Sequence, residues 1–187
     1  MIEIYYHGSS ALFHNFDLEH ALEGAAKVKF GYGVYVTSAY SSAAHYSAAH
    51  PGALTHYVYT VEVPEKKSDN FIAFKQPVLD TIVKRAEAKL SVAIPQKAKE
   101  DGKEFRKFLA TTLSGKKKID LAAEKAASQF LLSIGVDFIE WPYNWKNPAA
   151  ESNRAILSDE SIHISKVEIV EVDEKKHFIE GSNRPAI

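Results

Sequence analysis

The chain contains no cysteine, a single methionine and no long apolar run. Without cysteine there are no disulfides, no thiolate metal sites and no thiol nucleophile, which suits a reducing compartment. A membrane-spanning helix needs about 20 consecutive apolar residues, and no stretch comes near that. Met1-Ile2-Glu3 does not open a secretory leader, so a cytoplasmic location is expected. A charge excess is also missing. With 23 Lys and Arg against 24 Asp and Glu the net charge is −1, so attraction to nucleic acid can come only from a local patch. The eight histidines show no H-E-x-x-H or comparable spacing, and no metal is expected. What remains is an ordinary balance of 45% hydrophobic and 25% charged residues in 187 positions, enough for one domain with a sizeable core.

Along the chain the patterning changes twice. Ile2 to Tyr6 is a β-branched and aromatic strand broken by His7-Gly8-Ser9-Ser10. Residues 11–30 mix Phe13, Phe16 and Leu18 with polar groups and read as a loop or short helix. Gly31-Tyr32-Gly33 is a turn, Val34 to Thr37 the next strand, and Ser38 a helix cap. The alanine-rich helix that follows, about 39–49, stops before Pro51. Tyr57, Tyr59, Val61 and Val63 alternate as a strand. Residues 77–134 then turn helical, with apolar stripes through Ile82 and Ala86, Phe105 and Leu109, and Phe130 and Leu131. Strand patterns return at Val136 to Trp141, Arg154 to Leu157 and Ile162 to Val172. Strands, then helices, then strands predict an α+β domain over 1–180 with a helical insertion at about 77–134. Residues 181–187 are expected to form a flexible tail.

Two early segments stand out as carriers of chemistry: Tyr6-His7-Gly8-Ser9, and Gly33-Val34-Tyr35-Val36-Thr37 running into a helix that bears Tyr46. A later one is Glu151-Ser152-Asn153-Arg154, opening a strand. Together these resemble the three NAD-binding motifs of ADP-ribosyltransferases of the diphtheria-toxin and poly(ADP-ribose) polymerase type, the H-Y-E class. The resemblance implies split antiparallel β-sheets with flanking helices. It implies that His7, Gly8, Ser9, Tyr35 and Tyr46 bind NAD as a substrate, with Tyr35 and Tyr46 sandwiching the nicotinamide, since aromatic faces attract cations. Asn153 stands where the family keeps its catalytic glutamate, and Glu151 lies two residues earlier. Ala43 stands where many polymerases have a serine. The catalytic set expected from the resemblance is Tyr35, Glu151 and Asn153. In strand alternation Glu151 and Asn153 share a face, so that Asn153 holds a ribose hydroxyl while Glu151 supplies charge.

The resemblance therefore implies a mono-ADP-ribosyltransferase acting on a protein or nucleic-acid acceptor. The small size resembles bacterial or phage toxin and defence enzymes, for which an antitoxin is a possible partner. Chain elongation is not expected without the glutamate. Two alternatives stand beside this: a non-catalytic binding module on the same fold, and an inactivated variant of an active toxin. Each motif also has a plain reading. His7 can cap a strand end, Tyr35 and Tyr46 can be core aromatics, and Glu151 can be a solvated loop residue. Lys116-Lys117-Lys118 can cap the start of a solvated helix or contact phosphates of a nucleic-acid substrate. Trp141, Tyr143 and Trp145 read as an aromatic loop before the third motif.

Overall fold

The computed structural model describes residues 1–21 and 28–187; part of the predicted 11–30 loop thus lies outside the described residues. The strands are β1 (Ile2–Ser9), β2 (Val34–Thr37), β3 (His56–Pro64), β4 (Phe71–Ala73), β5 (Phe138–Pro142), β6 (Ser152–Ile156), β7 (His163–Val170) and β8 (Arg184–Pro185). They form one mixed sheet in the order β4-β5-β6-β2-β1-β3-β7-β8. The helices are α1 (Leu18–Ala21), α2 (Tyr40–Ser47), α3 (Asp80–Leu90), α4 (Gln96–Lys99), α5 (Gly102–Ser114) and α6 (Leu121–Ser133). The α+β class expected from the patterning is what the chain adopts.

The helical segment is a crossover. β4 and β5 are parallel neighbours, and parallel strands need a long connection, which α3 to α6 provide. Aspartates start its two long helices: Asp101 accepts from the Glu104 N–H at 2.8 Å and Asp120 from the Ala123 N–H at 2.9 Å. The cap of α6 is therefore Asp120 rather than the lysine run before it, and Lys116 pairs with Asp120 at 2.5 Å. Ser38 does not cap α2 either. Ala39 holds that position, while the Ser38 hydroxyl accepts from the Ser152 N–H at 3.0 Å and ties the end of β2 to the start of β6. The 181–187 segment, expected as a tail, lies along β7: Ile169 pairs with Arg184, and Asn183 donates to the Glu168 carboxylate at 2.9 Å.

One joint in the sheet matters most. β1 pairs with β3 over eight consecutive positions but with β2 only at Tyr6↔Thr37. The sheet is thus two four-stranded halves joined by a single residue pair. Tyr5, Tyr59, Val61 and Val63 from one half share a core with Val34, Val36, Phe138 and Ile156 from the other. Arg154 braces that core from within: its guanidinium lies over the rings of Tyr5 (4.4 Å) and Phe138 (4.2 Å). It pairs with Glu3 of β1 and, at 3.0 Å, with Glu140 of β5. On the opposite face α3 to α6 cover Ile72, Ile139, Trp141 and Ala155, while α2 covers β1 and β3 through Ala43, Ala44 and Val58.

Gly8 is what lets α2 lie so close to β1. A Cβ there would overlap the Ala43 carbonyl oxygen and stand 2.7 Å from the Ser47 nitrogen, both main-chain atoms that cannot swing aside. Gly8→Ala is expected to cost about 3 kcal/mol by overpacking, read as a fall in the denaturant midpoint. An unchanged midpoint would mean that α2 can retreat without cost.

Candidate functional site

Where β1 leaves β2, a cavity of about 630 Å³ opens. His7, Gly8 and Ser9 line one side, Tyr35 and Thr37 of β2 another, Tyr46 and His50 enter from α2 and the turn after it, and Trp141 and Asn153 close the back. Residues separated by more than 140 positions in the chain therefore meet in one place. Of the site residues expected from the sequence, His7, Gly8, Ser9, Tyr35, Tyr46 and Asn153 line this cavity and Glu151 does not. Among the described residues the wall carries no carboxylate, lysine or arginine.

His7 holds the gap. Past the single β1–β2 pair, the Tyr35 carbonyl has the His7 ring as its partner, at 2.7 Å from Nδ1. A carbonyl only accepts, so Nδ1 carries the hydrogen and Nε2 is left with a bare lone pair while the ring is neutral. Phe16 (5.0 Å), Tyr59 (6.1 Å) and Phe13 (6.3 Å) pack their rings around it. Burial lowers the tendency of His7 to take a second proton below its ordinary 6.5, against the pull of the Tyr35 carbonyl. The unfolded chain then protonates first as the pH falls. The stability carried by neutral His7 is complete above about pH 6.5 and is lost as the pH drops from there toward the folded value. Unfolding free energies of the wild type and His7→Phe, compared from pH 8 to 5, should diverge below about 6.5 with the wild type losing more. A difference independent of pH would contradict a neutral, buried His7.

The aromatic wall comes from Phe30, Tyr35 and Trp141. Phe30 stacks on Trp141 with centroids 3.9 Å apart, and Tyr35 meets Trp141 edge-on at 5.4 Å. The Tyr35 hydroxyl donates to the Gly31 carbonyl at 2.9 Å and accepts from the Phe30 N–H at 3.0 Å. Burial pushes its pKa up to about 12, only partly offset by the Phe30 N–H. Tyr35 is thus neutral, with its hydroxyl engaged in the 30–31 turn, and offers the cavity a ring. Tyr46 is different: it is 48% exposed at the end of α2 and lines the cavity from that side. Burial, and then the neighbouring Tyr143 phenol, raise its pKa. Ser9 has its hydroxyl engaged by the Ala11 N–H at 3.0 Å.

The turn that carries Phe30 is held from behind. Arg106 on α5 donates to the Val28 carbonyl at 3.1 Å and the Lys29 carbonyl at 3.2 Å, and pairs with Glu124 on α6 at 3.3 Å. Both side chains of the pair are buried.

Asn153 is a polar group of the cavity wall with an unmatched atom. It is 5% exposed, and its Oδ1 is buried without a hydrogen-bond partner. A buried amide oxygen left unmatched costs about 1–3 kcal/mol. Glu151 lies outside the wall because β6 begins only at Ser152, so strand alternation does not carry back to it. It is exposed, and its carbonyl accepts from the Tyr143 N–H at 3.0 Å. Trp141, read from sequence both as the end of the Val136 to Trp141 strand and as the start of an aromatic loop, is a buried member of β5, and Phe30 was not singled out at all.

No protein-family model matches the chain, and no curated protein matches it. Among the described residues no helix is long and apolar enough to cross a membrane, and no cluster of three or more side chains could hold a metal ion.

Proposed function

We propose that this cavity binds NAD by its nicotinamide riboside end, and that the chain is a mono-ADP-ribosyltransferase with an ADP-ribosyltransferase-like fold. The observation that carries the reading is the convergence of His7, Tyr35, Tyr46 and the unmatched Asn153 on one uncharged, aromatic cavity at the joint between two half-sheets. In this reading the nicotinamide ring lies against the Tyr35 and Trp141 rings with Tyr46 folding over it, which suits a pyridinium. The bare Nε2 of His7 accepts from a ribose hydroxyl. Asn153 Oδ1 accepts from a second hydroxyl or from the carboxamide.

The reaction would break the bond between the nicotinamide nitrogen and the ribose carbon. The electron pair leaves with nicotinamide, positive charge develops on the ribose, and an acceptor nucleophile closes on that carbon and gives up its proton to water. Stabilising this charge is the usual task of a carboxylate. The described wall offers dipoles but no carboxylate, so the reading assigns the negative charge to Glu151 at the flank. An exposed carboxylate acts across water, which weakens it. Glu151→Gln is therefore expected to slow transfer only about tenfold, with NAD affinity unchanged; an unaltered rate would remove Glu151 from the mechanism.

The absence of a carboxylate from the described wall also favours a second reading, a module that binds NAD without cleaving it. Incubation with NAD and a cell lysate, followed by chromatography for free nicotinamide, separates the two. Nicotinamide release supports the transferase, and intact NAD with measurable binding supports the module.

A further inference from the structure

A second groove, sharing no lining residue with the NAD cavity, lies on the helical crossover and has a volume of about 570 Å³. Lys97 of α4, Lys107 of α5 and Lys117 of the connection between α5 and α6 converge on it from three separate elements. Its floor is apolar: Phe108 and Ile119, both half-buried, rest on the core beneath. Glu104 also lines it and pairs with Lys107 at 3.7 Å, while no ion pair engages Lys97 or Lys117 among the described residues. The charge of the whole chain is divided unevenly. Residues 77–134 carry 12 Lys and Arg against 7 Asp and Glu, a net of +5, and the remainder carries 11 against 17, a net of −6.

We infer that this groove binds single-stranded nucleic acid. Converging lysines over an aromatic and aliphatic floor match what an unpaired strand presents, phosphates on one side and base faces on the other. A duplex keeps its base faces stacked away and would use only the lysines. The acidic remainder of the surface repels a polyanion, which confines binding to the crossover. The inference goes beyond the NAD cavity and does not depend on it.

The test is fluorescence anisotropy of a labelled single strand of about twelve nucleotides, without NAD, across roughly 50 to 200 mM salt. Three phosphate contacts predict a slope of log affinity against log salt of about −2. Lys97→Glu/Lys107→Glu/Lys117→Glu should lower affinity at least about tenfold and flatten the slope. Lys67→Glu/Lys146→Glu/Lys175→Glu, an equal charge change outside the crossover, should leave both nearly intact. The milder Lys97→Gln/Lys117→Gln should fall between, and guards against a folding defect in the triple variant. Equal losses in the two triple variants would overturn the groove in favour of general charge attraction. Equal competition by polyglutamate would reassign it to an acidic peptide, and displacement by inorganic phosphate alone at similar concentration would reduce it to an anion site. Because NAD is absent, failure here leaves the NAD cavity standing, and success here leaves it untested.

Discussion

Replacing Arg106 with methionine is expected to destabilise the protein by about 3–5 kcal/mol, and Arg106→Met/Glu124→Leu to recover most of that loss. Arg106 and Glu124 face each other across α5 and α6 with side-chain exposures of 6% and 9%. Burial raises the pKa of the Glu124 carboxyl, against the pull of Arg106, so the pair is already costly to keep charged. Removing the guanidinium alone strands a carboxylate in a low-dielectric site, whereas removing both leaves an apolar contact. The double variant should not recover the site, however. Arg106 also holds the Val28 and Lys29 carbonyls, and with them the turn that sets Phe30 against Trp141. Stability restored without ligand affinity, in chemical denaturation and calorimetry run side by side, is the expected pattern. A double variant as unstable as Arg106→Met would contradict the isolated-charge explanation.

Asn153→Leu is expected to do the opposite, making the protein more stable and less able to bind. Leucine keeps the branch point and heavy-atom count of asparagine, can place its extra volume against the cavity that Asn153 lines, and removes an amide oxygen that is buried without a partner. Losing that unmatched group should raise stability by about 1 kcal/mol. The same change leaves a ligand hydroxyl or amide facing hydrocarbon and should weaken NAD by roughly 10²-fold. Gains in stability from changes at a functional site are the usual mark of a group kept for binding rather than folding. Destabilisation by Asn153→Leu would instead show that the asparagine serves the β5–β6–β2 packing around it.

Legibility from sequence followed the length of each pattern. β3 was readable because Tyr57, Tyr59, Val61 and Val63 alternate over seven residues, and all four join one core. β4 and β8, of three and two residues, are too short to show a period, and their neighbours across the sheet determine them. The long helices were readable from their stripes, but the cap of α6 was read as the lysine run rather than Asp120. Of the cavity lining, His7, Gly8, Ser9, Tyr35, Tyr46 and Asn153 were singled out by motif. What motif could not give was the joint itself, since a strand pairing that stops after one residue leaves no mark in either strand. Nor could it give the engaged Tyr35 hydroxyl, the Phe30–Trp141 stack, or the place of Glu151 one residue short of β6.

Saturation-transfer NMR on NAD mixed with the full chain tests the central claim most directly, because it reports which end of the dinucleotide lies against the protein. Saturation should be strongest at the nicotinamide ring protons, weaker at the adenine, and lost throughout with Asn153→Leu, a variant expected to be fully folded. No transfer to NAD, strongest transfer at the adenine, or an unchanged profile in Asn153→Leu would contradict a nicotinamide site between His7, Tyr35 and Asn153.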